Sequence, residues 1–199
     1  MVPGRVAVVT TDEIYERYLR KAINEINRLS HEIAQTADGA PLALPTGHPL
    51  ANIFLLKYGP QAQELQEGVA FHGRAGNALI KSLQRLHVDP LEVYGTNCVK
   101  FAGADLELSG QWLARELRIV EPKLVVVMGE DALEFLNGLA FQLSQPVVSM
   151  VGDLQRFTPT IEALVVPDID SALDEQPAKT AFWNAFKIVG PWWAALPPY

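Results

Sequence analysis

Residues able to bind or transform a small polar molecule collect in three short stretches of this sequence. The first opens with Lys57-Tyr58-Gly59-Pro60-Gln61 and closes with Phe71-His72-Gly73-Arg74-Ala75-Gly76; the second is Thr96-Asn97; the third is Pro167-Asp168-Ile169-Asp170. Asn and Gln amides carry a donor and an acceptor side by side, an ionised carboxylate accepts protons, and histidine titrates near neutral pH. Each of these residues also has an ordinary structural use. A Phe before Gly reads first as core, an Asn at a strand end as a turn or cap residue, and Gly73 and Gly76 as a tight turn before a helix. Metal and thiol chemistry find little support. The four histidines are dispersed, and Cys98 is the only cysteine, which excludes an intramolecular disulfide or a cluster held by several thiolates of one chain. The sequence therefore predicts neither a metal nor a cofactor.

A scaffold must bring these stretches together, and 199 residues suit a single domain, 1–199, with residues 1–46 as a helical lead-in. Hydrophobic residues make up 49% and charged residues 20%, the balance of a globular chain. The longest apolar stretch, centred on 124–128, falls far short of the roughly 20 residues of a membrane span. The run Val6-Ala7-Val8-Val9 lacks the longer apolar block and cleavage site of a secretory signal. The expectation is a cytoplasmic monomer with no membrane partner. A net charge of −7 counts against tight, nonspecific DNA binding, because duplex affinity comes largely from Lys and Arg neutralising phosphates. The candidate DNA-facing basic residues, Arg74, Lys81, Arg85, Lys100, Arg115, Arg118 and Lys123, are scattered.

Periodicity supplies the elements. Ile14, Leu19, Ile23, Ile26 and Leu29 recur at helical steps and predict a helix over 11–35, capped by Thr10 or Thr11, with a loop over 36–49. Ile53-Phe54-Leu55-Leu56 reads as a strand. Helices follow over 75–87, 109–120, 131–139 and 178–189, alternating with strands over 93–99, 124–128 and 163–166. Leu124-Val125-Val126-Val127-Met128, stopped by Gly129, is apolar throughout and predicts a central parallel strand buried on both faces. The alternation predicts an α/β fold, a three-layer α/β/α sandwich around a mostly parallel four-stranded sheet. In such a sheet ligands bind at the carboxyl ends of the strands, where all three polar stretches fall.

Four segments, in order, resemble a known family. Gly47-His48-Pro49-Leu50-Ala51-Asn52, before an apolar strand and a Gly-Pro turn, is similar to the G-x-P-x-A-x lead into G-E-A-P-G of the iron–sulfur branch of the uracil-DNA glycosylase superfamily. Phe71-His72-Gly73-Arg74-Ala75-Gly76 resembles its F-V-G-R-A-G, and Val93-Tyr94-Gly95-Thr96-Asn97-Cys98-Val99-Lys100 its V-Y-I-T-N-V-V-K. Glu121-Pro122-Lys123 leads to an apolar strand and Gly129 as its R-P-x-x-x-x-x-x-G does. The resemblance implies a hydrolase that flips uracil out of DNA and reads the edge of the base. It assigns Phe71 to stacking on the base, Asn97 to the uracil carbonyl and imide, and the backbone of Tyr58, Gly59 and Pro60 to the pocket wall.

The departures from the family pattern fall on catalysis. Lys57 stands for its first Gly, Tyr58 for its Glu and Gln61 for its closing Gly. Asp168 stands near its His, and Phe101 and Ser109 stand at or near two cysteines. N-glycosidic hydrolysis passes through a cationic sugar and needs a group that holds water, which a phenol does not supply as an anion near neutral pH. Gln61 as a water-orienting amide, Asp168 as a water-activating carboxylate and His72 as a donor to the departing base are the candidate catalytic residues. Phe101 suggests apolar packing in place of a cluster. Two readings follow, a rearranged glycosylase acting on uracil-containing DNA and a catalytically silent relative that binds nucleic acid or protein. A third, a small-metabolite domain, has neither a G-x-G-x-x-G after a strand nor a P-loop to support it.

Overall fold

Thr10 starts the first helix, α1 (Thr11–Ala37), by reciprocal capping. Its hydroxyl accepts from the Glu13 N–H while the Glu13 carboxylate accepts from the Thr10 N–H at 2.8 Å. The helix ends where Asp38 turns left-handed, at φ 47°. The computed structural model describes residues 10–197; the apolar run at 6–9 and the last two residues of the C-terminal tail lie outside the described residues.

The strands are β1 (Thr46–Gly47), β2 (Ile53–Lys57), β3 (Val93–Asn97), β4 (Leu124–Met128), β5 (Leu154–Arg156) and β6 (Glu162–Val166), in the sheet order β1-β3-β2-β4-β6-β5. The four parallel strands expected from the sequence form the centre. The expected strand count of four is corrected to six, because β1 and β5 pair antiparallel along the two edges. These edge strands are two and three residues long and mostly exposed, so they carry no apolar alternation to mark them.

Along the parallel strands, alternate residues face opposite layers. Ile53, Leu55, Val93, Val126, Met128 and Val166 pack with α3 (Arg74–Arg85), α6 (Ile169–Ala172), α7 (Gln176–Phe186) and α8 (Val189–Ala194). Phe54, Leu56, Tyr94, Val125 and Val127 pack with α4 (Leu106–Val120) and α5 (Glu130–Asn137). The helix expected over 178–189 is two helices, because the chain breaks at Lys187 and restarts with Pro191 in a first turn, where a missing N–H costs nothing. α8 docks the aromatic tail onto the domain: Trp192 is buried and its indole N–H donates to Glu162 Oε2 at 2.6 Å. Two further helices fall where the sequence read as loop, α2 (Ala62–Glu67) and α6, both too short to show a stripe. No described helix is long and apolar enough to cross a membrane.

α1 lies on α4 and closes a third apolar cluster, in which Leu29, Ile33 and Ala37 surround Phe101 and Trp112, with ring centroids 6.3 Å apart. Apolar packing thus occupies the place where the family pattern has a ligand at position 101. Phe101→Ala is expected to cost about 3–5 kcal/mol, the usual loss for a buried aromatic, as read from urea unfolding. Cys98, fully buried and with its thiol pushed upward in pKa by desolvation, is expected to resist thiol reagents in the folded protein and to react fully in denaturant.

Candidate active site

The parallel register decides what meets at the carboxyl end of the sheet. Lys57 pairs with Asn97 across β2 and β3 and with Met128 across β2 and β4. By alternation the side chains of Lys57 and Asn97 project to the face covered by α3 and α6. Phe71 reaches the same face from the turn before α3. Its ring lies against Gly95, where a Cβ would sit 2.7 Å from the ring edge, two residues or about 6–7 Å along β3 from Asn97. Gly76 admits the Phe71 carbonyl, which a side chain there would meet at 1.9 Å. Phe71 itself holds φ 59°, a left-handed conformation that costs a bulky residue on the order of 1 kcal/mol or more and that concentrates at functional sites.

Asn97 is fully buried, and neither atom of its amide has a protein hydrogen-bond partner among the described residues. Its main chain is fixed from the opposite face. Lys100 Nζ, also fully buried, donates to the Asn97 carbonyl at 2.6 Å, to Thr96 Oγ1 and to Glu116 Oε2 at 3.0 Å. Desolvation pushes the Glu116 carboxyl upward in pKa against the opposing pull of Lys100.

Over the ring, and in register with Asn97, stands a third group, Lys57. Lys57 is 1% exposed, and its ammonium lies 5.6 Å from the centroid of the Phe71 ring. It donates to Glu64 Oε2 and, at 2.7 Å, to Asp170 Oδ2. Glu64, equally buried, also accepts from the Gln61 N–H at 2.7 Å and from the Phe71 N–H. One carboxylate thus ties the end of β2, the start of α2 and the strained Phe71 turn together. The sequence does not single out Glu64, and it marks Asp170 only as part of the 167–170 stretch, without a role. The signals were there: a lysine ending an apolar strand needs a buried partner, and Gln61-Ala62-Gln63-Glu64 places a Glu three residues after a helix cap.

A polar cavity of about 290 Å³ is lined by Gln61, Glu64, His72, Arg74, Asp168 and Asp170, among others. It brings together the three candidate catalytic residues, with Gln61 and His72 exposed at its wall. Asp168 caps α6: Oδ2 accepts from the Ser171 N–H at 3.0 Å and from the Ser171 hydroxyl at 2.6 Å, and Oδ1 from the Asp170 N–H at 3.4 Å. Phe71 lines a separate, apolar cavity of about 270 Å³ with Gly95, Leu55 and Gly47. Tyr58 is 39% exposed and packs edge-on against Phe135, away from the cavity, while Gly59 and Pro60 form the half-buried turn beside it.

The family model of the uracil DNA glycosylase superfamily matches residues 44–187. The chain belongs to that superfamily. A curated relative, the type-4 uracil-DNA glycosylase of Archaeoglobus fulgidus, is 24% identical over 155 residues, which cover 72% of this chain and 78% of that one. Within this superfamily member the matched span contains every element that frames the ring, the amide and the ion cluster. No described group of His, Cys, Asp or Glu has an arrangement able to hold a metal ion.

Lys100→Met is expected to destabilise the protein by about 3–5 kcal/mol, because it leaves the Glu116 carboxylate buried without its cation. Lys100→Met combined with Glu116→Leu should recover most of that loss in the same unfolding measurement.

Proposed function

We propose that this superfamily member recognises a uracil flipped out of DNA and hydrolyses its N-glycosidic bond. The observation that supports the reading is the Asn97 amide. Burying an amide without a partner costs on the order of 1–3 kcal/mol, and a base edge with adjacent acceptor and donor supplies both missing bonds. The Phe71 ring, packed against Gly95 two residues along β3 from Asn97, offers the platform on which the base stacks, and an aromatic platform of this kind contributes about 1–3 kcal/mol per base.

In the reaction the bond between the sugar C1′ and the base N1 breaks, with the electron pair leaving on the base, and water adds to C1′. Gln61 orients the water, and Asp168 takes its proton through Oδ1, whose one contact is the long one. His72 donates a proton to the departing base. The carboxylates of the cavity favour the cationic sugar that forms on the way.

A second reading, a catalytically silent module that binds nucleic acid or protein, draws on the surface charge, which favours a protein partner. Lys100 is buried, Arg74 pairs with Asp174 and Arg115 with Glu32, and the cavity wall carries Glu64, Asp168, Asp170 and Asp174. Such a wall repels a phosphate backbone. Fluorescence anisotropy at low salt with abasic, uracil-containing and plain DNA separates its two forms: a nucleic-acid sensor binds the first or second without turnover, and no binding leaves the protein module.

Incubation with uracil-containing single- and double-stranded oligonucleotides, followed by cleavage of abasic sites, tests the first reading. Strand breaks are expected with the wild-type chain. Asn97→Ala is expected to lower kcat/KM by about 100-fold or more, the scale of losing an aligned transition-state donor. A pure protein that gives no breaks at high concentration removes the hydrolase.

A further inference from the structure

We propose that Lys57 occupies the base slot in the DNA-free protein and controls access to it. The inference rests on the base-recognition reading above and adds the residue that gates it. Three observations meet at this side chain. Register places it directly beside Asn97. Its ammonium lies over the Phe71 ring, on the ring that a base would use. Its two carboxylate partners, Glu64 and Asp170, line the polar cavity. The ion cluster therefore joins the wall of that cavity to the Phe71 ring through the Lys57 ammonium.

Charge explains why the lysine stays in place. One ammonium between two carboxylates leaves the cluster with a formal charge of −1, so removing the cation leaves a buried and a part-buried anion facing each other. Attraction to the aromatic face adds to the hold. A base reaches Asn97 only when this side chain swings away or is deleted, and the resulting penalty on base binding is absent where a glycine ends the strand. The same charge balance argues against Lys57 as a donor to a departing uracil anion, because its positive charge is already more than neutralised.

The test measures binding of free uracil to the full chain by calorimetry. Lys57→Ala is made alone and, because two unpaired carboxylates threaten folding, also together with Glu64→Gln and Asp170→Asn; Lys57→Met in the same neutralised background fills the slot without charge. Both alanine variants, where folded, should bind uracil at least about tenfold more tightly than wild type. The methionine variant should not, and adding Asn97→Ala should abolish the gain. Alanine variants that bind no more tightly than wild type overturn the proposal, and so does a methionine variant that gains as much as alanine. If wild type still releases uracil from DNA in that event, only the gate is lost. If no variant binds uracil and wild type releases none, the base-recognition reading falls with it.

Discussion

A buried amide without a partner is the constraint on which the rest of this site depends. Asn97 sits at the end of a fully buried strand, its carbonyl pinned by Lys100 from one face and its side chain left unpaired on the other. Nothing in the packing compensates that side chain, whereas most buried polar groups elsewhere in the domain are matched. Thr158 bonds the Thr160 and Ile161 N–H groups, and the Trp112 indole finds Glu32. Tyr94 Oη, Ser109 Oγ and Glu116 Oε1 are unpaired as well; what sets Asn97 apart is the left-handed Phe71, whose ring packs against Gly95, two residues along β3 from it, since an unsatisfied buried group points to a ligand or to stored strain.

Around that amide the molecule has made exchanges that keep the frame and alter the chemistry. Gly95 and Gly76 let the ring lie against the sheet, and α4 presents the Glu116 carboxylate to Lys100. Where thiolates are expected at or near 101 and 109, Phe101 and Trp112 pack beneath α1, so apolar area ties the first helix to α4. Where a glycine is expected at 57, a lysine brings a cation over the Phe71 ring, and Glu64 and Asp170 neutralise it. A carboxylate stands where an imidazole is expected, and it is spent largely on capping α6.

The four central strands and the long helices were legible because each carries a period strong enough to stand alone. β4, apolar throughout, could only be a strand buried on both faces. The edge strands β1 and β5 were not legible, because two or three exposed residues have no pattern; nor were α2 and α6, which are short and capped by side chains. Gln61, His72 and Asp168 could be placed near one another because the sheet gathers strand ends. The inward turn of Lys57 is signalled only weakly, since a lysine at a strand end reads much the same whether its tip reaches solvent or meets two carboxylates 7 and 113 residues away.

The most direct test is the side-chain amide of Asn97 itself, followed by nitrogen–proton correlation spectroscopy. Single-stranded oligonucleotides identical except for one uracil or one cytosine are titrated into the full chain. The account predicts that the Asn97 amide protons shift downfield with the uracil strand and not with the cytosine strand, as expected of a donor that finds the uracil carbonyl. An Asn97 signal unmoved by saturating uracil strand would contradict it and leave a buried amide in a layered domain with no base to read.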